Sequence, residues 1–473
     1  MVILKKMIHR SVKTDTDRLN RPGWRDYQVG LKRTATKKKL VTGIFKISAL
    51  FFLIIAVGYG IISGLEGTSF SHLMTDSFSP FNGNKRDVPL DPVRLNDKKL
   101  VQNLFDDSSL ANLKNKRIDV FTNGRRLSVD TSLDIPLQNY ILKKLDTSTA
   151  RYIGIVAMDP TTGKVLSMVS YDKTDPSSNL CVDSRFPAAS IFKIVTASAA
   201  IEKKGFRPSH EFKYNGMKHT LYKSQLKKQT NKYTNRISFQ DSFAQSVNPV
   251  FGKIGVHFLG KTTLEKYAEA FGFNRNINFE IQVDPSSVHL SDTPYQWAEI
   301  ACGFNQETTL SPLHGAMMAS AIINQGRLME PAIVIRIVDE NDKVIYRNTS
   351  VSMNQAITPE ASETLNGLMA ATIRSGTAKK AFRGYRKDKI LSRLNIGGKT
   401  GSMDNDTHDA RYDWFVGFAE EKGGTAKIAL SVLVAHEKFI GLRASYYART
   451  AMKTYFGNYF AKNQNIVSKI ENK

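Results

Sequence analysis

The sequence predicts an α+β body behind a single membrane anchor, and three observations carry that expectation. A basic block of 39 residues is followed by a long uncharged apolar stretch. From about Arg125 to about Lys462 short alternating strand patterns interleave with amphipathic helical patterns. Between the two, residues 66–124 are polar, with Pro80, Pro89 and Pro92 and several Asn, Asp and Gly turns. The chain has 473 residues, 41% hydrophobic and 10% aromatic, enough to bury a sizeable core and too apolar for general disorder. Cys181 and Cys302 are its two cysteines, which excludes a disulfide framework and leaves one bridge open. Neither belongs to a C-x-x-C pair or a His-rich run of the kind that binds zinc.

Taken in order, residues 1–39 form a tail with twelve Lys or Arg against Asp15, Asp17 and Asp26, a net +9 out of the chain's +24. Leu40 to Leu65 is the expected transmembrane helix. Its uncharged core, Ile47 to Ser63, is 17 residues long. At about 1.5 Å per residue that core spans roughly 25 Å, and Lys46 lengthens it by snorkelling to the interface. Downstream, Glu66 and Asp76 come before the first cation, Lys85, so the positive-inside rule puts the N-terminus in the cytoplasm and the rest outside. A cleaved signal peptide is the rival reading. It would need an n-region of more than 40 residues, and no clean A-x-A site follows.

Residues 66–124 read as a linker or small pedestal, and 125–465 as the main domain. The latter opens with a hairpin, Tyr152 to Met158 and Lys164 to Ser170 about the turn Asp159-Pro-Thr-Thr-Gly163. A helix is expected from Pro187 to Glu202, with Pro near its start and Gly205 just past its end. On it Ser190 and Lys193 are three residues apart, so their Cβ atoms lie roughly 5–6 Å apart on one face. A serine hydroxyl becomes a nucleophile when a neighbouring base takes its proton, and a lysine is that base only if burial or a nearby cation depresses its pKa. Phe186, Phe192, Ile194 and Val195 supply the apolar setting. The spacing alone is weak, because Ser170-x-x-Lys173 and Ser224-x-x-Lys227 share it.

Two further motifs follow in order. Ser246-Val-Asn248 opens a second helical stretch, and Lys399-Thr-Gly-Ser402 follows Ile396-Gly-Gly398. On a strand Lys399 and Gly401 share a face, so the glycine clears space beside the ammonium for a substrate lying along the strand edge. In this order Ser-x-x-Lys, Ser-x-Asn and Lys-Thr-Gly resemble the set of the penicillin-binding transpeptidases and serine β-lactamases. The spans from Ser190 to Ser246 and from Ser246 to Lys399 suit a transpeptidase and are long for a compact β-lactamase. The resemblance extends to Ala157-Met-Asp-Pro-Thr-Thr-Gly163, to Thr309-Leu-Ser-Pro312 with the inserted hairpin Ile333 to Asn348, to Ser375-Gly-Thr-Ala378 and to Trp414-Phe-Val-Gly417.

That resemblance implies an antiparallel sheet flanked by helices plus an all-helical lobe. It also implies roles: Ser190 as nucleophile, Lys193 as base for acylation, Ser246 as proton relay, and Asn248 holding the substrate backbone. Lys399, Thr400, Gly401 and Ser402 would bind the terminal carboxylate, and the backbone N–H groups of Ser190 and Ser402 would form the oxyanion hole. The implied substrates are peptidoglycan stem peptides and the implied inhibitors β-lactams, with no metal and no cofactor. A separate glycosyltransferase or wall-synthesis complex is the expected partner, because the 60 or so residues between anchor and Arg125 are too few for a glycosyltransferase domain. They are also fewer than the N-terminal module usual in class B enzymes. The same site with water as acceptor would make a D,D-carboxypeptidase or a β-lactamase-like hydrolase. A β-lactam sensor or structural partner would need no turnover.

Other features have plainer readings. Glu363-Thr-Leu-Asn366 resembles the hydrolytic glutamate motif but is one residue short. Asp404-x-Asp406-x-His408-Asp409 lacks the glycine and distal glutamate of a calcium loop. Tyr446, Tyr447, Tyr455 and Phe456 are expected to pack from a C-terminal helix. Residues 203–236 hold ten Lys or Arg against Glu211, a solvated face or an attractor of anionic wall strands. No nucleic-acid-binding signature is present.

Overall fold

A computed structural model describes residues 98–405 and 407–471, apart from 107 and 108. The expected tail, anchor and first part of the pedestal lie outside these residues. Among the described residues no helix is long and apolar enough to cross a membrane.

In chain order the elements are α1 (Lys98–Gln102), β1 (Arg117–Thr122), β2 (Arg125–Thr131), α2 (Ile135–Lys143), β3 (Ala150–Met158), β4 (Val165–Asp172) and α3 (Lys193–Lys204). A hairpin of β5 (Glu211–Tyr214) and β6 (Asn235–Ser238) leads to α4 (Phe239–Ala244), α5 (Asn248–Ile254), α6 (Gly260–Ala270), α7 (Pro294–Cys302) and α8 (Pro312–Ile323). Then come β7 (Arg327–Met329), β8 (Val334–Val338), β9 (Val344–Arg347), β10 (Ser352–Gln355), α9 (Pro359–Arg374), β11 (Leu394–Asp404), β12 (Arg411–Glu421), β13 (Lys427–His436) and α10 (Ala444–Glu471).

The central sheet is five-stranded, in the order β11-β12-β13-β3-β4, and antiparallel throughout. The expected β3–β4 hairpin forms one edge, and β11, which carries Lys399 to Ser402, forms the other. Both faces are covered, which is why the strands read as nearly continuous apolar runs. Along β12 the pleat sends Trp414, Val416 and Phe418 into one core and Phe415 and Ala419 into the other. The first core lies under α8 and the helical lobe built from α3 to α7. The second lies under α2 and α10, where Tyr447, Met452 and Phe456 are buried. Of the four aromatic residues expected to pack from α10, Tyr446 instead faces solvent, 46% exposed.

Two expectations change. The lobe is not wholly helical, because β5 and β6 pair within it. The boundary drawn at 124/125 falls inside a β-hairpin. Asn123 and Gly124 make the turn, both at positive φ, and β1 pairs with β2 from Arg117↔Asp130 to Thr122↔Arg125. This hairpin continues through β8 and β9 into a four-stranded sheet, so the hairpin Ile333 to Asn348 is half of a larger structure. Leu104, Phe105 and Leu110 sit in the main core. The Lys98 ammonium, 3% exposed, donates to the Pro331 carbonyl at 2.6 Å and pairs with Glu330 at 2.7 Å. The segment looked like a linker because the strand RIDVFT is exposed or half-exposed along its whole length.

Candidate active site

Ser190 does not sit on a regular α-helix. Residues Ala189–Phe192 form a 3-10 turn, and α3 begins only at Lys193. Ala189 has φ +48°, an unusual value for a non-glycine residue and a mark of local strain. The turn is fixed from outside. The Ala188 N–H donates to Thr308 O at 2.8 Å, and the Trp414 indole of β12 donates to Pro187 O at 2.9 Å. Gly303, at φ +64°, ends α7 against the turn, where a Cβ would collide with the Ala189 carbonyl.

Fully buried, the Lys193 amine has three oxygen neighbours: Ser190 Oγ at 2.8 Å, Asn248 Oδ1 at 2.8 Å and the Cys302 carbonyl at 2.5 Å. Burial pushes its pKa down to about 8, because an ammonium loses hydration there. A neutral amine has two N–H donors and one lone pair. The Asn248 and Cys302 oxygens can only accept, so they take both N–H groups and leave the lone pair for the Ser190 O–H. The surroundings thus orient a base toward the hydroxyl.

Ser246 comes from the link between α4 and α5, and Asn248 is the first residue of α5. Ser246 has φ +55°, and Asn248 is gripped by the 203–236 segment: its backbone N–H donates to Lys218 O at 2.7 Å and its Nδ2 to His219 O at 3.1 Å. On β11, Lys399 is likewise fully buried and donates to Ser246 Oγ at 2.9 Å and to Thr400 O at 3.0 Å. Burial first, and the Lys193 charge second, hold its pKa well below the ordinary lysine range. The Thr400 hydroxyl meets Thr377 Oγ1 at 2.5 Å, and Ser402 donates to Asp413 at 3.3 Å. Gly401 has Ile191 Cγ1, Trp414 Cβ and the Ala188 carbonyl within 3.2–3.4 Å of where a Cβ would be, so the strand passes close under the Ser190 turn.

All eight residues singled out in the sequence therefore fall on three adjacent segments: the Ser190 turn, the Ser246–Asn248 stretch and β11. Two hydrogen-bonded chains run through them, Ser190–Lys193–Asn248 and Ser246–Lys399–Thr400. Sequence reasoning missed the Cys302 carbonyl and Gly303. Their only sequence signal is a helix pattern with Pro294 at its start and a glycine at its end. It also missed Lys218 and His219, which act through backbone carbonyls and leave no side-chain signature, and Asp413. Glu363 is exposed on α9. Cys181 and Cys302 are buried and unbridged. Cys181 Sγ lies 3.2 Å from Val169 O, and Cys302 Sγ 3.5 Å from Glu299 O. Asp404 pairs with Arg411 and Asp409 with Arg151, while Asp406 lies outside the described residues.

A family model described as the penicillin binding protein transpeptidase domain matches residues 153–458. Stage V sporulation protein D of Bacillus subtilis is 27% identical over 319 residues, covering 62% of this chain and 47% of that protein. Peptidoglycan D,D-transpeptidase PbpA of Mycolicibacterium smegmatis is 26% identical over 322 residues, covering 59% of this chain and 61% of the relative. The chain thus spans about half to three-fifths of the length of these curated relatives. Among solved structures, the D,D-transpeptidase domain of a peptidoglycan glycosyltransferase from Eggerthella lenta superposes with a TM-score of 0.57 at 22% identity, covering 69% of this chain and 82% of that one. PBPA from Mycobacterium tuberculosis gives 0.56 at 22% identity, with coverages of 69% and 80%. These likenesses establish the fold.

Proposed function

The chain belongs to the penicillin-binding protein transpeptidase domain family, and we propose that it is a class B-like, membrane-anchored serine D,D-transpeptidase. In this reading it cross-links peptidoglycan stem peptides through an acyl-serine intermediate and is acylated by β-lactams. The observation that carries the reading is the Lys193 amine, 2.8 Å from Ser190 Oγ with its two N–H groups engaged elsewhere.

The steps follow from the two hydrogen-bonded chains. Lys193 takes the Ser190 proton as Oγ attacks the carbonyl carbon of the penultimate D-Ala. The resulting oxyanion is met by the backbone N–H groups of Ser190 and Ser402, which need no reorganisation because the turn and strand hold them in place. Collapse of the tetrahedral species breaks the C–N bond, and Ser246 passes its hydroxyl proton to the departing D-Ala amine and takes one from the Lys399 ammonium bonded to it. The Asn248 amide and β11 align the donor peptide, with Lys399, Thr400 and Ser402 at its terminal carboxylate, while Gly401 lets the strand pass close under the Ser190 turn. An amine of a second stem peptide then attacks the ester, its proton passing to Ser246 and on to Lys399, while the C–O bond to Ser190 breaks and Lys193 returns the first proton to Oγ. Residues 40–65 would anchor the enzyme, with residues 1–39 in the cytoplasm and the catalytic body outside. Glycan polymerisation would fall to a separate glycosyltransferase or wall-synthesis complex.

Fluorescent penicillin tests the nucleophile. The unsubstituted chain is expected to take a covalent label and Ser190→Ala none; equal labelling of the two would sink the assignment. Muropeptide analysis after incubation with wall material tests the acceptor. New cross-links are expected, whereas loss of terminal D-Ala without them would make the protein a carboxypeptidase.

A further inference from the structure

The acylation chemistry uses none of the charge on residues 203–236. The ten cations of this segment are all exposed, and Glu211 is its one acid. Among the described residues just one of them has an ion-pair partner, Arg236, with Glu211 at 2.7 Å. Lys223 lies over the Tyr295 ring and Lys232 over the Tyr233 ring, at 5.6 and 5.1 Å from the centroids. Tyr222 and Tyr233 are 61% and 72% exposed. Charge of one sign gathered on so short a segment opposes its own compaction and draws polyanions to it.

This face is also part of the catalytic cleft's own support. Between β5 and β6 the segment loops out and supplies Lys218 O and His219 O, the two carbonyls that hold Asn248. Asn248 in turn orients Lys193. Beside the hairpin is an open cavity of about 510 Å³, lined by Lys218 and Arg236, by Glu211 and Asp241, and by Gln245, the residue before Ser246.

We propose that residues 203–236 form a docking surface for the polymeric substrate, a wall glycan strand whose peptide branches carry carboxylates; this rests on the transpeptidase reading above. The carboxylates pair with the unpaired cations, Lys227, Lys228 and Lys232 among them. Tyr222 and Tyr233 offer flat faces to sugar rings. A branch bearing both an amine and a carboxylate finds partners of both signs in the cavity. Because the same segment holds Asn248, a docked strand presents its branches next to Ser190.

The test is co-sedimentation of the full chain with purified peptidoglycan sacculi stripped of phosphate polymers. Replacing Lys227, Lys228 and Lys232 together by Gln is expected to lower the bound fraction at least about fivefold at low salt. Added salt is expected to erase the advantage of the unsubstituted chain. An unfolding midpoint establishes that the triple variant is folded; if it is not, the three single substitutions are read separately, each with a smaller loss in the same direction. Binding that is indifferent to these substitutions and to salt overturns the proposal. So does charge-dependent binding that favours anionic phospholipid vesicles over sacculi, which would make this a membrane-facing surface. Penicillin labelling of the unsubstituted chain separates the two readings. Labelled protein with charge-indifferent wall binding defeats the docking surface alone, and unlabelled protein that still binds sacculi through these lysines defeats the transpeptidase reading alone.

Discussion

The two buried lysines of the site sit on opposite kinds of backbone. Lys399 belongs to β11, paired residue for residue with β12 from Leu394↔Glu421 to Asp404↔Arg411. Lys193 follows a strained 3-10 turn whose shape is imposed by Thr308, Gly303, Cys302 and Trp414, all more than 100 positions away in sequence. A regular strand fixes its side chains through its own pleat and its neighbour. A turn of this kind is only as accurate as the distant elements that press on it. The β11 side should therefore tolerate small changes, and the Ser190 side should not.

The largest effect is expected at Lys193. Lys193→Met keeps the apolar stem and removes the amine proposed as base, and acylation by fluorescent penicillin should slow by about 10²–10⁴-fold. Loss of less than tenfold would move the base to Lys399. Next is Gly303→Ala, far from the substrate in sequence and chemically mild. It places a methyl group on the Ala189 carbonyl at a positive φ. Overpacking and left-handed strain together predict destabilisation of about 2–4 kcal/mol, read by denaturant unfolding, and a loss of labelling. A stable, fully labelled Gly303→Ala protein would show that the turn does not depend on α7.

The acylation rate should also depend on pH in a direction set by burial. With burial lowering the Lys193 pKa to about 8, the neutral amine is the minor form at pH 7, and stopped-flow labelling should accelerate about tenfold to a plateau above that value. Both lysines have pKa values depressed below 10.5, so between about 8 and 10.5 the unfolded chain holds more protons on them than the folded one. Their contribution to stability consequently rises with pH through that window and falls as pH drops through it. A rate that falls with rising pH would mean a protonated Lys193 and exclude it as the base.

How much of this was legible in the sequence follows the same division. The β3–β4 hairpin, the strand bearing Lys399 to Ser402 and the Ser-x-x-Lys face could be read because their periodicity is local. The β1–β2 hairpin is equally local, with Ile118 and Val120 alternating with polar residues ahead of the Asn123-Gly124 turn, and was missed because the polar, proline-bearing stretch before it reads as running on to 124. The start of α3 at Lys193 was missed too: the run from Pro187 has helix-forming composition, and only tertiary contacts bend Ala189 to Phe192 into a tighter turn. The Cys302, Lys218 and His219 carbonyls carry no residue-type signal at all, because any amino acid other than one that distorts the backbone would supply the same oxygen.

The smallest effects are expected where strand meets turn. Gly401→Ala brings a methyl group to within 3.2–3.4 Å of Ile191, Trp414 and Ala188, contacts that shifts of a few tenths of an ångström relieve. Trp414→Phe removes the indole donor to Pro187 O and a little volume, at a cost of about 1–2 kcal/mol. Both variants should still be labelled, at rates within about tenfold of the unsubstituted chain, because the eleven paired positions of β11 and β12 keep Lys399 in place. Trp414→Phe is the sharper of the two, since its indole is the one side-chain hydrogen bond from β12 to the base of the Ser190 turn among the described residues. If its labelling falls as far as that of Gly303→Ala, the regular strand is shaping the turn as strongly as α7 does, and the two sides of the site are a single mechanical unit.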